Sequence, residues 1–148
     1  MTALHFGNHT IRFDLERTRS AYARIESGDA ERCGCIYCQN FAAQRETIYP
    51  EAFLSLLFQL GVDWKKEAEV TEIDGVYNGW FHFAGSCEQT GDSGTDATRF
   101  RFRFRFASPT SFPNPPADFG DVVGAVEFYA TLPWVLAGIP RNTVQPPG

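Results

Sequence analysis

The sequence predicts an α+β fold: an antiparallel sheet of about five or six strands, with two short helices inserted after the N-terminal strands. Three observations carry this. Apolar residues recur at helical spacing between residues 38 and 60. After Gly61 the apolar period changes to two, the period of a strand with one buried face. Stretches rich in Gly, Ser, Asp and Pro then divide the remaining chain into strand-length pieces.

In order, LHFGNHTIRFDL reads as a hairpin, with Gly7-Asn8 as its turn pair and Ile11, Phe13 and Leu15 alternating with polar residues. SAYARIE (20–26) reads as a second strand, with Ala21, Ala23 and Ile25 on one face. SGDAERCG (27–34) reads as a loop. CQNFAAQRETI (38–48) has Phe41, Ala42 and Arg45 at helical spacing. A second helix is expected over 50–60, where Pro50 suits the first turn and Glu51 the positive end of the dipole. Phe53, Leu54, Leu56, Leu57 and Leu60 give it a wide apolar face, and Gly61 can end it in a left-handed conformation. EAEVTEI, VYNGWFHFAG, TRFRFRFRFAS and VVGAVEFYATL read as strands. Residues 85–97 read as a mobile loop, and 108–121, with four prolines, as irregular chain. Residues 1–139 are expected to form a single domain and 140–148 a flexible tail.

With 148 residues, 43% hydrophobic and 14 of them Phe, the chain can bury a core without disulfide or metal. A net charge of −5 argues against general nucleic-acid binding. No apolar run reaches the ~18 residues of a membrane span, and the N-terminus lacks the basic start and apolar core of a signal peptide. The expected setting is therefore the cytoplasm, where clustered cysteines are more often metal ligands or redox groups than disulfides.

The cluster is ERCGCIYCQNF, with Cys33, Cys35 and Cys38 spaced C-x-C-x-x-C. Thiolates are strong ligands for zinc, and a C-x-x-C at a turn entering a helix aims both sulfurs at one ion. Gly34 frees the backbone to bring Cys33 to the same point. A tetrahedral site wants a fourth ligand. Cys87 is the remaining cysteine; His82, His5, His9 or water could serve instead. The same residues admit other readings: a dithiol at Cys35 and Cys38 that cycles to a disulfide, a nucleophilic cysteine with His82 as base, or three small hydrophobes in a tight turn.

RFRFRFRF (99–106) places Phe100, Phe102, Phe104 and Phe106 on one strand face and Arg99, Arg101, Arg103 and Arg105 on the other. The plain reading is a half-buried strand whose arginines are screened by Glu67, Glu69, Glu72 or Glu127. The sharper one is a surface for an acidic protein or other anionic partner. Trp80, Phe81 and Trp134 read as packing residues, and His82 as a sheet histidine with a satisfied hydrogen bond. There is no P-loop, dinucleotide-binding glycine pattern, HExxH or GxSxG, and no carboxylate spacing that suggests an acid–base pair.

CGCIYCQNF, YPEAFLSLLFQLGVD, GWFHFAG and EFYATLPWVL together resemble a family of small bacterial proteins of unknown function. In these a C-x-C-x-x-C-x-N-F segment precedes a helix, and the chain closes on Leu-Pro-Trp. The resemblance spans about residues 10 to 136. It implies a single bacterial domain and carries no catalytic residue with it. The first expectation is thus a small bacterial cytoplasmic protein holding zinc at Cys33, Cys35, Cys38 and Cys87, as a structural or recognition site. The alternatives are a thiol-redox protein and a metal-free interaction module built on the Arg face.

Overall fold

A computed structural model describes residues 1–88, 91–92, 99–107 and 115–141. The fold is α+β. Four helices accompany an antiparallel sheet of strands β1 (Thr2–Phe6), β2 (His9–Phe13), β3 (Glu69–Ile73), β4 (Val76–Cys87), β5 (Gly91–Asp92), β6 (Phe100–Ala107) and β7 (Val123–Thr131). The order is β1-β2-β4-β7-β6-β5, with β3 also paired to β4. The expected tail falls largely outside the described residues, as does the first half of 108–121, while Ala117–Phe119 forms one turn of 3-10 helix.

β4 organises the sheet. One of its edges pairs with β7 from Val76 to Ala84. Its other edge pairs first with β3, up to Trp80, and then with β2, from Gly85 onward. That leaves residues 81–84 without a strand on this side, and helix α1 (Leu15–Ala23) fills the gap. Tyr22 Oη donates to the carbonyl of His82 at 2.6 Å. The Ala84 N–H donates to Thr18 Oγ1 at 3.0 Å, and the Ala84 carbonyl accepts from the Asp14 N–H at 2.9 Å. Exposed strand edges need such partners.

This overturns the expected strand at 20–26, most of which lies in α1. The alternation of Ala21, Ala23 and Ile25 is incidental, because the buried set is Thr18, Ala21 and Tyr22, at helical spacing. Asp14 caps the helix, its carboxylate accepting from the Arg17 N–H at 3.0 Å. The expected loop at 27–34 likewise contains a short helix, α2 (Asp29–Cys33). The two predicted helices are present as α3 (Ile36–Ile48) and α4 (Glu51–Leu60), with Pro50 as the N-cap of α4 and Gly61 left-handed at its end. β4 runs on to Cys87, so the start of the expected loop at 85–97 is strand, and Gly91–Asp92 pairs with β6.

The core lies between α3, α4 and one sheet face. Phe53 of α4 sits 4.9 Å, centroid to centroid, from both Phe100 and Phe102. Phe41 of α3 stacks on Phe128 at 6.1 Å. The sheet curls, so that Phe6 of β1 reaches Phe102 of β6 at 5.5 Å. Phe100, Phe102 and Phe104 are buried as the alternation predicted. On the opposite face Arg103 and Arg105 both bind the buried Glu127, at 2.5 and 2.9 Å, and Arg101 lies over the Tyr129 ring at 4.7 Å. Of the four acids expected to screen the arginines, Glu127 does so. Glu67 and Glu72 pair with Arg45 and Arg141 instead.

Two phenyl rings cover glycines across the β4–β7 pair: Phe83 opposite Gly124 and Phe128 opposite Gly79. A Cβ at Gly124 would lie 2.3 Å from Phe83 Cζ. Gly124→Ala should therefore destabilise the fold by about 1–3 kcal/mol, as overpacking does. Urea denaturation measures this; an unchanged midpoint would mean that the Phe83 ring has room to swing away.

Candidate metal centre

Cys33, Cys35 and Cys38 come together because two helices meet at one glycine. Cys33 is the last residue of α2. Gly34 then takes the left-handed conformation at φ 67°, which favours glycine, and turns the chain sharply. Cys35 is the N-cap of α3, and its Sγ accepts from the Cys38 N–H at 3.4 Å. Gln39 Nε2 holds the Gly34 carbonyl at 2.9 Å. The three Sγ atoms all lie within 4.8 Å of one another. A tetrahedral zinc with ~2.3 Å bonds needs sulfurs about 3.8 Å apart, so side-chain adjustment of about an ångström suffices. The donor set fits a soft, tetrahedral ion.

Burial is graded, with Cys33 exposed, Cys35 half-buried and Cys38 buried. The backbone N–H of Cys35, helped by the Cys38 side chain, lowers the Cys33 pKa. Burial pushes the Cys38 thiol up, reinforced by its hydrogen bonds with Cys33 and Cys35. Metal binding has to displace these protons, so affinity falls as pH falls. The sulfurs line a cleft of about 240 Å³, walled by Tyr37, Val70, Thr71, Glu72 and Tyr77.

Two buried polar networks fix this geometry. Asn40, one turn into α3, donates to Tyr77 Oη at 3.2 Å and to the Pro133 carbonyl at 3.1 Å, and accepts from the Val135 N–H at 2.8 Å. Tyr77 Oη in turn donates to the Tyr37 carbonyl at 3.0 Å. The Asn-Phe that follows the cysteines is thus bonded directly to the Leu-Pro-Trp stretch, and Trp134 packs edge-on against Tyr37 at 5.7 Å. In the second network Arg45 of α3 binds Glu67 at 2.6 Å and also Glu31 of α2. Glu67 Oε2 occupies the space where a Cβ on Gly28 would stand, so only glycine fits there.

None of the other ligand candidates joins the cluster. Cys87 is buried at the opposite end of β4, where its Sγ meets His9 Nδ1 at 3.7 Å. Ten residues of strand, ~33 Å at the usual rise, separate it from Tyr77 at the cleft. His5 bonds Thr10 at 3.2 Å, and His82 lines a different cavity. Glu72 reaches the cleft but is held by Arg141 at 2.9 Å and by the Gly75 N–H at 3.3 Å. Among the described residues the cluster therefore offers three ligands, and all three line the cleft.

Sequence reasoning missed Asn40, Glu67 and Tyr77 as supports. A signal existed for one pair: Arg45 follows Phe41 by four residues on the buried face of α3, and a buried cation requires an acidic partner. The chain is an α+β protein with a three-cysteine cluster placed to hold a metal ion. It matches no protein-family model, no curated protein and no solved structure.

Two predictions follow from the supporting networks. Asn40→Ala removes three hydrogen bonds and leaves the Val135 N–H without its acceptor, while Gln44 still serves the Pro133 carbonyl and Tyr77 Oη still donates to Tyr37; it should cost about 1–3 kcal/mol in chemical denaturation, and a loss below 0.5 kcal/mol would remove the network from this role. Burial pushes the Glu67 carboxyl up to about 7, only partly offset by Arg45 and raised further by Glu31. The native state then keeps a proton that the unfolded chain has lost, so this group's contribution to stability falls as pH rises from about 4.5 to 7. Compared with wild type, Glu67→Gln should flatten the pH dependence of stability in that window by on the order of 2–3 kcal/mol. Parallel curves for the two proteins would contradict it.

Proposed function

We propose that this is a small bacterial cytoplasmic protein that binds one zinc ion through Cys33, Cys35 and Cys38, and that the site is structural or recognition-related. The observation that carries the reading is the convergence of three sulfurs on one point at the mouth of a cleft. Zinc is favoured over harder ions by the all-thiolate donor set. The ion would join the end of α2 to the start of α3, and water or a group from a partner would take the fourth position. Cys87 is not part of the proposed site.

Thiol-redox chemistry is the second reading. One observation favours it: Cys33 is exposed, has a lowered pKa and lies beside two further thiols. It would run by attack of a thiolate on a disulfide, with Cys35 or Cys38 resolving the mixed disulfide.

Elemental analysis of untagged protein purified under reducing conditions, with a free-thiol count, separates the two. The expected result is about one zinc per chain, with Cys33, Cys35 and Cys38 protected and Cys87 unaffected by the metal. Cys35→Ser and Cys38→Ser should weaken zinc by roughly 100-fold or more, since even outer partners of a ligand are worth 10–100-fold. Cys87→Ser should retain it. A chelator should lower the melting temperature. Metal-free protein with unchanged melting in chelator would overturn the proposal, and a reversible disulfide under mild peroxide would then favour the second reading.

A further inference from the structure

A second cavity, of about 180 Å³, shares no lining residue with the cysteine cleft. Arg32 of α2 lines this cavity, while Cys33, the next residue, lines the cleft. Its walls are largely apolar, formed by Tyr22, Ile25, Pro116 and Phe119. Tyr22 and Phe119 meet edge to face at 5.4 Å. A dry cavity of about 150 Å³ admits benzene, so this one has room for a single ring.

His82 gives the cavity its polar character. The residue is 3% exposed, and its ring packs against Phe119 at 6.0 Å. Its carbonyl takes the Tyr22 hydroxyl, but among the described residues nothing hydrogen-bonds either imidazole nitrogen. This corrects the expectation of a satisfied sheet histidine. Burial lowers the His82 pKa to about 4, so at neutral pH the ring offers one donor and one acceptor. Tyr49 Oη is the sealed-off polar atom without a partner among the described residues, so the His82 ring nitrogens are not closed off but open into the cavity, where a ligand atom can bond them.

Two cations complete it. Lys66 Nζ donates to the Tyr22 carbonyl at 2.8 Å and keeps further N–H groups. Arg32 donates to the Ser27 and Ala68 carbonyls, at 2.5 and 3.3 Å, and stands exposed at the mouth. Each cation also pairs loosely with an acid, Lys66 with Asp63 and Arg32 with Asp29, both at 3.8 Å, and Glu67, which lines the cavity, is bound to Arg45.

We infer that this cavity binds a small aromatic carboxylic acid, with the ring packed against the Tyr22–Phe119 pair, a polar ring substituent against His82, and the carboxylate at Lys66 and Arg32. The inference is independent of the metal site.

The test is a titration of the full chain, followed by NMR, with 4-hydroxybenzoate, benzoate and toluene. The expected result is saturable binding of 4-hydroxybenzoate, with the largest shifts at Tyr22, His82 and Phe119. Toluene should bind about tenfold or more weakly, a difference of ~1.4 kcal/mol. Lys66→Met, at the half-exposed rim, should remove most of the preference for carboxylates over toluene. His82→Phe should remove the preference for 4-hydroxybenzoate over benzoate. Absence of saturable shifts for both acids would overturn the inference. So would toluene binding as tightly as the acids in the wild-type protein, because the cavity would then be only an apolar void. If His82→Phe does not fold, the Lys66→Met comparison still decides.

Discussion

The guanidinium of Arg45 is the point on which the arrangement turns. It is buried in α3 and binds two carboxylates, Glu31 from α2 and Glu67 from the chain entering β3. A charge in that position cannot be left without partners, since breaking a buried pair costs several kcal/mol. Its geometry therefore constrains three segments at once. The Glu67 carbonyl also accepts from the Asp29 N–H at 3.0 Å, and Asp29 accepts from the Val70 N–H at 2.9 Å. The start of α2 is thereby stitched to β3 while its middle is tied to α3. Such pairs contribute little net stability compared with apolar packing. What this one contributes is a fixed angle between two helices, and that angle sets Cys33 over Cys35 and Cys38.

A helix of five residues has no stability of its own. The position of α2 is decided by what holds its ends: the buried ion network at one, and Gly34 with the cysteine cluster at the other. The helix also contributes to both cavities, Arg32 to one and Cys33 to the other. An ion bound by the sulfurs would hold the same turn that carries Arg32. The Arg-bearing face of β6 is arranged differently: Glu127 engages two of its cations and Tyr129 carries another. Part of that positive charge is thus used within the sheet.

Legibility in the sequence followed the strength of local periodicity. The Phe–Arg alternation admits one strand orientation, because a slip of one residue would bury the arginines. α4 was equally plain, with four buried apolar residues on one face and a left-handed glycine after it. α1 was misread because small residues at 21 and 23 mimic a strand, and because its Tyr22 and Thr18 bond to the edge of β4, some sixty residues away in the chain. That reason for burial leaves no local trace. The joining of Asn40 to Pro133 and Val135 was hidden in the same way: both segments stood out singly, and only folding brings them together.

By itself the sequence determined what depends on neighbours a few residues apart: the α+β class, the two central helices, the faces of β6, and the convergence of Cys33, Cys35 and Cys38, whose spacing is closed by one glycine turn. Tertiary structure alone decided which distant groups join them. It placed Cys87 beside His9 at the far end of β4, and turned His82 into a cavity that sequence did not suggest. The physical reason is the same in both cases. A strand transmits direction over a dozen residues, so its two ends serve different neighbourhoods, and which neighbourhood a residue enters is settled by strand order and sheet curl rather than by the residues beside it.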